Sequence, residues 1–217
     1  MAHKQLVVVL GSGSVGKTSI LHKYLNGTFS HKYTQTVEDV YSTDVCIDGE
    51  RIMIEFLDTS GSIEFPAMRR LAIQKANAFV LVFALDREES FAEVKRTWRE
   101  IKASRNDQKD TPCIVIGNKL DRENYREVEY FEALNWVDNN GLEGMMQEVS
   151  SKTGANFDNV FAKLFKQIHV CKAYQQIALN TQSRKNIRIK KRDNIATTSH
   201  ITRSGCCFAF GKRKETS

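Results

Sequence analysis

Gly11-Ser12-Gly13-Ser14-Val15-Gly16-Lys17-Thr18 decides how this chain is read, because of what stands on either side of it. Gln5 to Leu10 is a short β-branched run and reads as a buried strand, and Lys17 to about Asn26 reads as a helix. A G-x-x-x-x-G-K-[ST] stretch between a strand and a helix is built to cradle phosphate. Gly11, Gly13 and Gly16 let the backbone bend so that successive N–H groups point inward at phosphate oxygens. The helix N-terminus adds the positive end of its dipole. Lys17 is expected to reach the terminal phosphates, and the Thr18 hydroxyl to ligate Mg²⁺, a hard cation that prefers oxygen. The whole run, with Ser12, Ser14, Val15 and Ser19, is assigned to the phosphate site. The bland rival is a glycine-rich turn carrying an exposed lysine.

Working outward, strands and helices alternate. Val40 to Ile47 and Arg51 to Leu57 read as two strands joined at Asp48-Gly49, a hairpin signal. Ala78 to Ala84 is continuously apolar, as expected for a strand covered on both faces. Ser90 reads as an N-cap with Glu93 three residues on, opening a helix with Phe91, Val94, Trp98 and Ile101 on one face. Cys113 to Gly117 is a further strand, Tyr130 to Asn139 a helix, Gln147 to Val149 a short strand and Asp158 to Tyr174 a helix. This pattern predicts an α/β fold: a mostly parallel six-stranded sheet with one antiparallel edge strand and helices on both faces. Residues 1–174 are expected to form the nucleotide-binding domain, and 175–217 a basic, largely disordered tail. Cys46, Cys113 and Cys171 fall on apolar faces and read as small core residues. The five histidines show no ligand spacing.

Two further motifs complete the site. Asp58-Thr59-Ser60-Gly61 follows the strand that ends at Leu57, about 40 residues after Lys17. Asp58 is expected to hold the metal through water, and the Gly61 N–H to face the γ-phosphate. Gly117-Asn118-Lys119-Leu120-Asp121 follows another strand. A carboxylate accepts hydrogen bonds from guanine N1–H and N2–H₂, donors that adenine lacks there, so Asp121 is a guanine selector. That argues against an ATP-using kinase. Asn118 is expected to tie this loop to the phosphate loop, and the Lys119 stem to cover the base. A backbone N–H of Ser150-Ser151-Lys152 is placed to reach guanine O6.

The ordered set GSGSVGKT, Thr36, DTSG, NKLD and SSK resembles the Ras superfamily of small GTPases, over about residues 4–172. Tyr33 to Tyr41 resembles a Ras-type effector loop rather than a Rab or Rho one. Phe65 to Leu71 is similar to the Rhes/Dexras and Di-Ras branch. The resemblance implies a P-loop small-GTPase fold, GTP/GDP and Mg²⁺ as cofactors, and GTP hydrolysis. It implies that the Thr36 hydroxyl meets Mg²⁺ and its N–H the γ-phosphate, that Phe29 leans on guanine, and that Tyr33, Val37, Glu38, Asp39, Val40 and Tyr41 meet an effector. An exchange factor and a hydrolysis-activating protein are the implied partners, with no nucleic acid, and the protein is expected to be a monomer.

The chain departs from this family where hydrolysis is decided. The family reads D-T-A-G-Q-E, its Gln orienting the attacking water. Here Ser62 stands at the Gln position and Ser60 at the Ala. Lys17, Thr36, Gly61 and Ser62 are the catalytic set, and Ser62 is too short to bridge water and phosphate. Residues 30–37 hold no arginine. Slow hydrolysis is therefore expected, with a permanently GTP-loaded, non-catalytic effector-binding module as the alternative.

The net charge of +6 over 217 residues is not evenly spread. Residues 1–172 sum to −2 and residues 173–217 to +8. The basic cluster from Arg184 to Arg192 and the pair Cys206-Cys207 suggest an anionic membrane surface, with S-palmitoylation of either cysteine as the second anchor. The last residues, Lys214-Glu-Thr-Ser217, form no prenylation box, Ala2 excludes myristoylation, and no signal peptide is expected. The expected location is the cytoplasmic face of a membrane, the plasma membrane first, with cytosol or nucleus as rivals.

Overall fold

A computed structural model describes residues 4–32, 34–61, 66–105, 111–157 and 160–173. The tail, including Cys206 and Cys207, and the site residues Tyr33 and Ser62 lie outside these described residues.

The strands are β1 (Lys4–Leu10), β2 (Glu38–Ile47), β3 (Glu50–Thr59), β4 (Ala78–Ala84), β5 (Cys113–Asn118) and β6 (Met146–Glu148). They form one sheet in the order β2-β3-β1-β4-β5-β6. Only β2 runs antiparallel, paired to β3 through the Asp48-Gly49 turn; the other pairings are parallel. The expected sheet is the observed one. Every residue of β4 is buried, as its unbroken apolar run requires of a strand covered on both faces.

The helices are α1 (Lys17–Asn26), α2 (Pro66–Lys75), α3 (Glu88–Ser104), α4 (Tyr130–Asn139) and α5 (residues 162–173), with a 3₁₀ segment at Leu120–Tyr125. Phe161 and Phe165 lock α5 onto α1 and β3. The Phe161 ring lies 4.6 Å from Tyr24 and 5.3 Å from Phe56, each at an edge-on or tilted angle that aromatic pairs favour. Neither α2 nor the 3₁₀ segment is legible as a helix in the sequence. α2 buries only Ala72 and Ile73, and is held to α3 by Arg69, which donates to Thr97 Oγ1 at 2.7 Å and Glu100 Oε2 at 3.0 Å.

Two sequence expectations are corrected. Ser90 is not an N-cap: α3 begins at Glu88, its N-cap residue is Arg87, three residues earlier, and Glu127 Oε2 takes the Glu88 N–H at 2.9 Å. Ser90 is fully buried instead, its hydroxyl donating to the Arg87 carbonyl at 2.6 Å and accepting the Ala84 N–H at 2.9 Å. Glu93, expected to complete the capping box, pairs with Arg96 and Arg69. Cys46 is exposed rather than core, because it sits on the outward face of the edge strand β2; Cys171 is half-buried and Cys113 buried, where burial pushes its thiol pKa up. The apolar face of α3 is the expected one: Phe91, Val94, Trp98 and Ile101 are all buried.

Because Ser90 joins the end of β4 to the start of α3, Ser90→Ala strands a buried N–H. The expected cost is about 1–3 kcal/mol in a denaturant titration; a loss under a few tenths would show that the hydroxyl does not bind β4 to α3.

Candidate functional site

The parallel strands leave the sheet at one edge, and every motif sits there. The glycine-rich loop follows β1, Asp58 and Thr59 end β3, Asp86 and Arg87 follow β4, Asn118 ends β5 and Ser150 comes two residues after β6. A cavity of about 710 Å³ opens there, lined by the glycine-rich loop, Thr59 and Asn118 among others.

At one end is an anion cradle. Among the described residues, no hydrogen bond from the backbone N–H of Gly13, Ser14, Val15 or Gly16 is found. Gly16 has a φ of +94°, and a Cβ there would stand 2.3 Å from the Asn118 amide, so only glycine fits at the entry to α1. Gly61 presses on the loop from β3: a Cβ there would lie 2.3 Å from the Gly13 nitrogen. Lys17 is buried and donates to the carbonyls of Gly11 at 2.9 Å and Ser12 at 3.0 Å. Burial lowers its pKa to about 8; Asp58 works against this, while Arg69 and Arg87 add to it.

Beside the lysine, three oxygen-bearing side chains converge. The Thr18 hydroxyl donates to Asp58 Oδ2 at 2.5 Å and lies 2.9 Å from the Thr36 hydroxyl. Asp58 is fully buried, and its Oδ1 has no partner among the described residues. Burial raises its pKa, opposed by the Thr18 hydrogen bond and by Lys17. A buried carboxylate oxygen without a partner is costly, and one carboxylate with two hydroxyls is a hard donor set. The arrangement fits Mg²⁺. No cluster of three His, Cys, Asp or Glu suited to a softer metal occurs among the described residues.

The other end is held by Asn118. Its amide donates to the Val15 carbonyl at 2.9 Å and to Ser151 Oγ at 3.1 Å, and its side-chain carbonyl accepts the Ser151 N–H at 3.0 Å. Asp121 Oδ1 accepts the Ser150 hydroxyl at 2.6 Å, which fixes the carboxylate at the cavity wall. Lys119 lines the wall with a φ of +73°, its ammonium drawn to Asp86 at 3.0 Å. Arg122 reaches the same carboxylate at 2.6 Å. Burial would push the Asp86 carboxyl pKa up, but the hydrogen bonds from Arg122 and Lys119 hold it below the usual range. Phe29 lines the cavity with its ring 5.1 Å from that of His31.

Most of the expected residues meet in this one cavity: Gly13, Ser14, Gly16, Lys17, Thr18, Ser19, Phe29, Thr36, Thr59, Ser60, Gly61, Asn118, Lys119, Asp121, Ser151 and Lys152 all line it. Gly11, Ser12, Val15, Asp58 and Ser150 stand behind that wall. The Thr59 hydroxyl turns away to the Val9 carbonyl at 2.7 Å. Of the three N–H groups considered for guanine O6, Ser150 gives its own to the Ala155 carbonyl and Ser151 to Asn118, which leaves Lys152. In the effector segment Val37 and Val40 are 72% and 57% exposed, and the Ser60 N–H binds the Val37 carbonyl at 3.0 Å. Tyr41 is half-buried against His22, 3.1 Å from its Nε2.

Sequence reasoning missed Asp86, Arg87 and His22. The first two directly follow the β4 run, the strand-end position that located the other motifs. Arg87 donates to the Gly13 carbonyl at 2.6 Å.

The Ras family model matches residues 6–170. This chain belongs to the Ras family. It is 42% identical over 168 residues to the GTP-binding protein Rhes of Homo sapiens, covering 73% of this chain and 62% of that protein. The proteins of the same name from Mus musculus and Rattus norvegicus are each 41% identical over the same length. The chain thus spans about 62% of the length of these relatives. The six-stranded sheet and its strand-end motifs are the fold of this family.

Proposed function

We propose that this Ras-family chain is a GTP/GDP switch that hydrolyses GTP slowly and docks effectors through Val37 to Tyr41. The observation that carries this reading is that one cavity has loop N–H groups without partners among the described residues and Lys17 at one end and Asp121 at the other. The first suits a polyphosphate, and the second suits a base with two adjacent donors, which is guanine. The name of its Rhes relatives, a GTP-binding protein, agrees.

Lys17 places a positive charge where negative charge gathers on the transferred phosphoryl group. Thr18, Thr36 and Asp58 would hold Mg²⁺, which when bound neutralises charge on the phosphate oxygens. The Gly61 N–H is the donor proposed to face the γ-phosphate. Asn118 keeps the base end and the phosphate end at a fixed separation, and Lys119, drawn to Asp86, covers the base.

Slow turnover follows from Ser62, because a serine side chain is too short to span water and phosphate. A partner that accelerates hydrolysis would have to bring its own water-orienting group. Single-turnover GTP hydrolysis tests this directly. Ser62→Gln is expected to raise the rate at least tenfold, in line with the share of general-base positioning. An unchanged rate would contradict the assignment, and no measurable hydrolysis in either form would favour the permanently loaded effector module.

The tail supports a second part of the proposal, a membrane address. Each basic residue near an anionic leaflet is worth about 1 kcal/mol, and stable anchoring takes a second signal, here an acyl chain on Cys206 or Cys207. In cells, a fluorescent fusion of the full chain is expected at the plasma membrane, and its Cys206→Ser/Cys207→Ser form in the cytosol. Membrane staining that survives the double change would remove the acyl anchor from the account.

A further inference from the structure

Arg87 stands at the junction of β4 and α3, and its guanidinium crosses to the Gly13 carbonyl, 2.6 Å away and 74 residues earlier in the chain. It has no acidic partner among the described residues. The neighbouring Asp86 is engaged by Lys119 and Arg122. A half-buried guanidinium with no carboxylate partner among the described residues therefore touches the phosphate loop without itself lining the cavity.

The carbonyl it holds belongs to the peptide unit whose N–H is that of Ser14. No cis peptide occurs among the described residues, so this C=O and this N–H point in opposite directions. With the carbonyl turned to Arg87, the N–H of Ser14 is turned the other way, toward the cavity that Ser14 lines. Ser14 has a φ of +60°, a backbone state that a non-glycine residue keeps only under constraint. Two constraints are visible. Gly61 backs the nitrogen of Gly13 so closely that no Cβ fits between them, and Arg87 holds the Gly13 oxygen. A charged donor on the oxygen also polarises the amide, which strengthens its N–H as a donor to an anion.

We propose that Arg87 is a positioning residue for the phosphate chain: it clamps the Gly13–Ser14 peptide so that the Ser14 N–H faces the anion, and it adds positive potential behind the loop. The residue acts through the peptide and not by touching the nucleotide. The proposal rests on the guanine-nucleotide reading of the cavity.

The test is the release rate of a fluorescent GDP analogue from the full-length chain in Mg²⁺. R87A is expected to release it about tenfold faster, the order of one charge-assisted hydrogen bond, and R87K, which keeps a cationic donor, to recover part of the difference. A thermal melt separates positioning from plain structure. The rise in midpoint on adding GDP should shrink in R87A, while the midpoint after EDTA stripping stays near that of the wild type. Wild-type release from R87A, or a stripped midpoint that falls as far as the loaded one, overturns the proposal. If R87A does not fold, R87Q decides the matter: faster release supports the clamp and wild-type release overturns it. A wild-type chain that binds no GDP overturns the cavity reading and the clamp together, whereas tight wild-type binding with an unaltered R87A overturns the clamp alone.

Discussion

The amide of Asn118 donates to the Val15 carbonyl at 2.9 Å and to Ser151 Oγ at 3.1 Å, and its carbonyl accepts the Ser151 N–H at 3.0 Å. These bonds join the end of β5 to the glycine-rich loop after β1 and to the loop after β6. All are buried, so each is worth more than it would be in water, and an orphaned partner would be costly. The packing allows no slack: a Cβ on Gly16 would strike the same amide. The distance between the anion cradle and Asp121 depends on this side chain, and so does the ability of one ligand to fill both ends of the cavity.

Charged side chains are arranged around that frame. Two burial-prone carboxylates, Asp58 and Asp86, each organise the cations or hydroxyls near them. Asp58 leaves one buried oxygen without a partner among the described residues, a deficit that a hard cation would remove. Asp86 is satisfied by Lys119 and Arg122, and so orders the wall at the base end. Lys17 and Arg87 remain directed at the loop, and their mutual repulsion contributes to the lowered Lys17 pKa. An anionic ligand would relieve this repulsion.

What is legible in the sequence is local. The phosphate loop, Asp58 and Asn118 to Asp121 each lie within a few residues of a strand end, and strand ends are visible from β-branched runs such as Gln5 to Leu10. The mostly parallel sheet with its antiparallel edge follows from those strands and the Asp48-Gly49 turn, whereas the order of the strands is seen only in the structure. The errors arise where distant partners override a local pattern. Ser90 and Glu93 have the spacing of a capping box, but Glu127, 39 residues beyond Glu88, caps the helix instead. Cys46 looks apolar by its neighbours, yet an edge strand turns alternate residues outward. Asp86 and Arg87 stand just past a strand end, but their roles are not legible there because their partners are Lys119, Arg122 and Gly13, 33, 36 and 74 residues away. α2 is hidden because only two of its ten residues are buried, too few to show a period.

That one cavity takes a guanine nucleotide with Mg²⁺ is the central claim. The most direct measurement is to denature the purified full-length chain and identify by chromatography what it carried, with and without prior EDTA. Close to one guanine nucleotide per chain is predicted, largely lost after EDTA. An adenine nucleotide in that position, or a guanine nucleotide whose retention ignores EDTA, would contradict it.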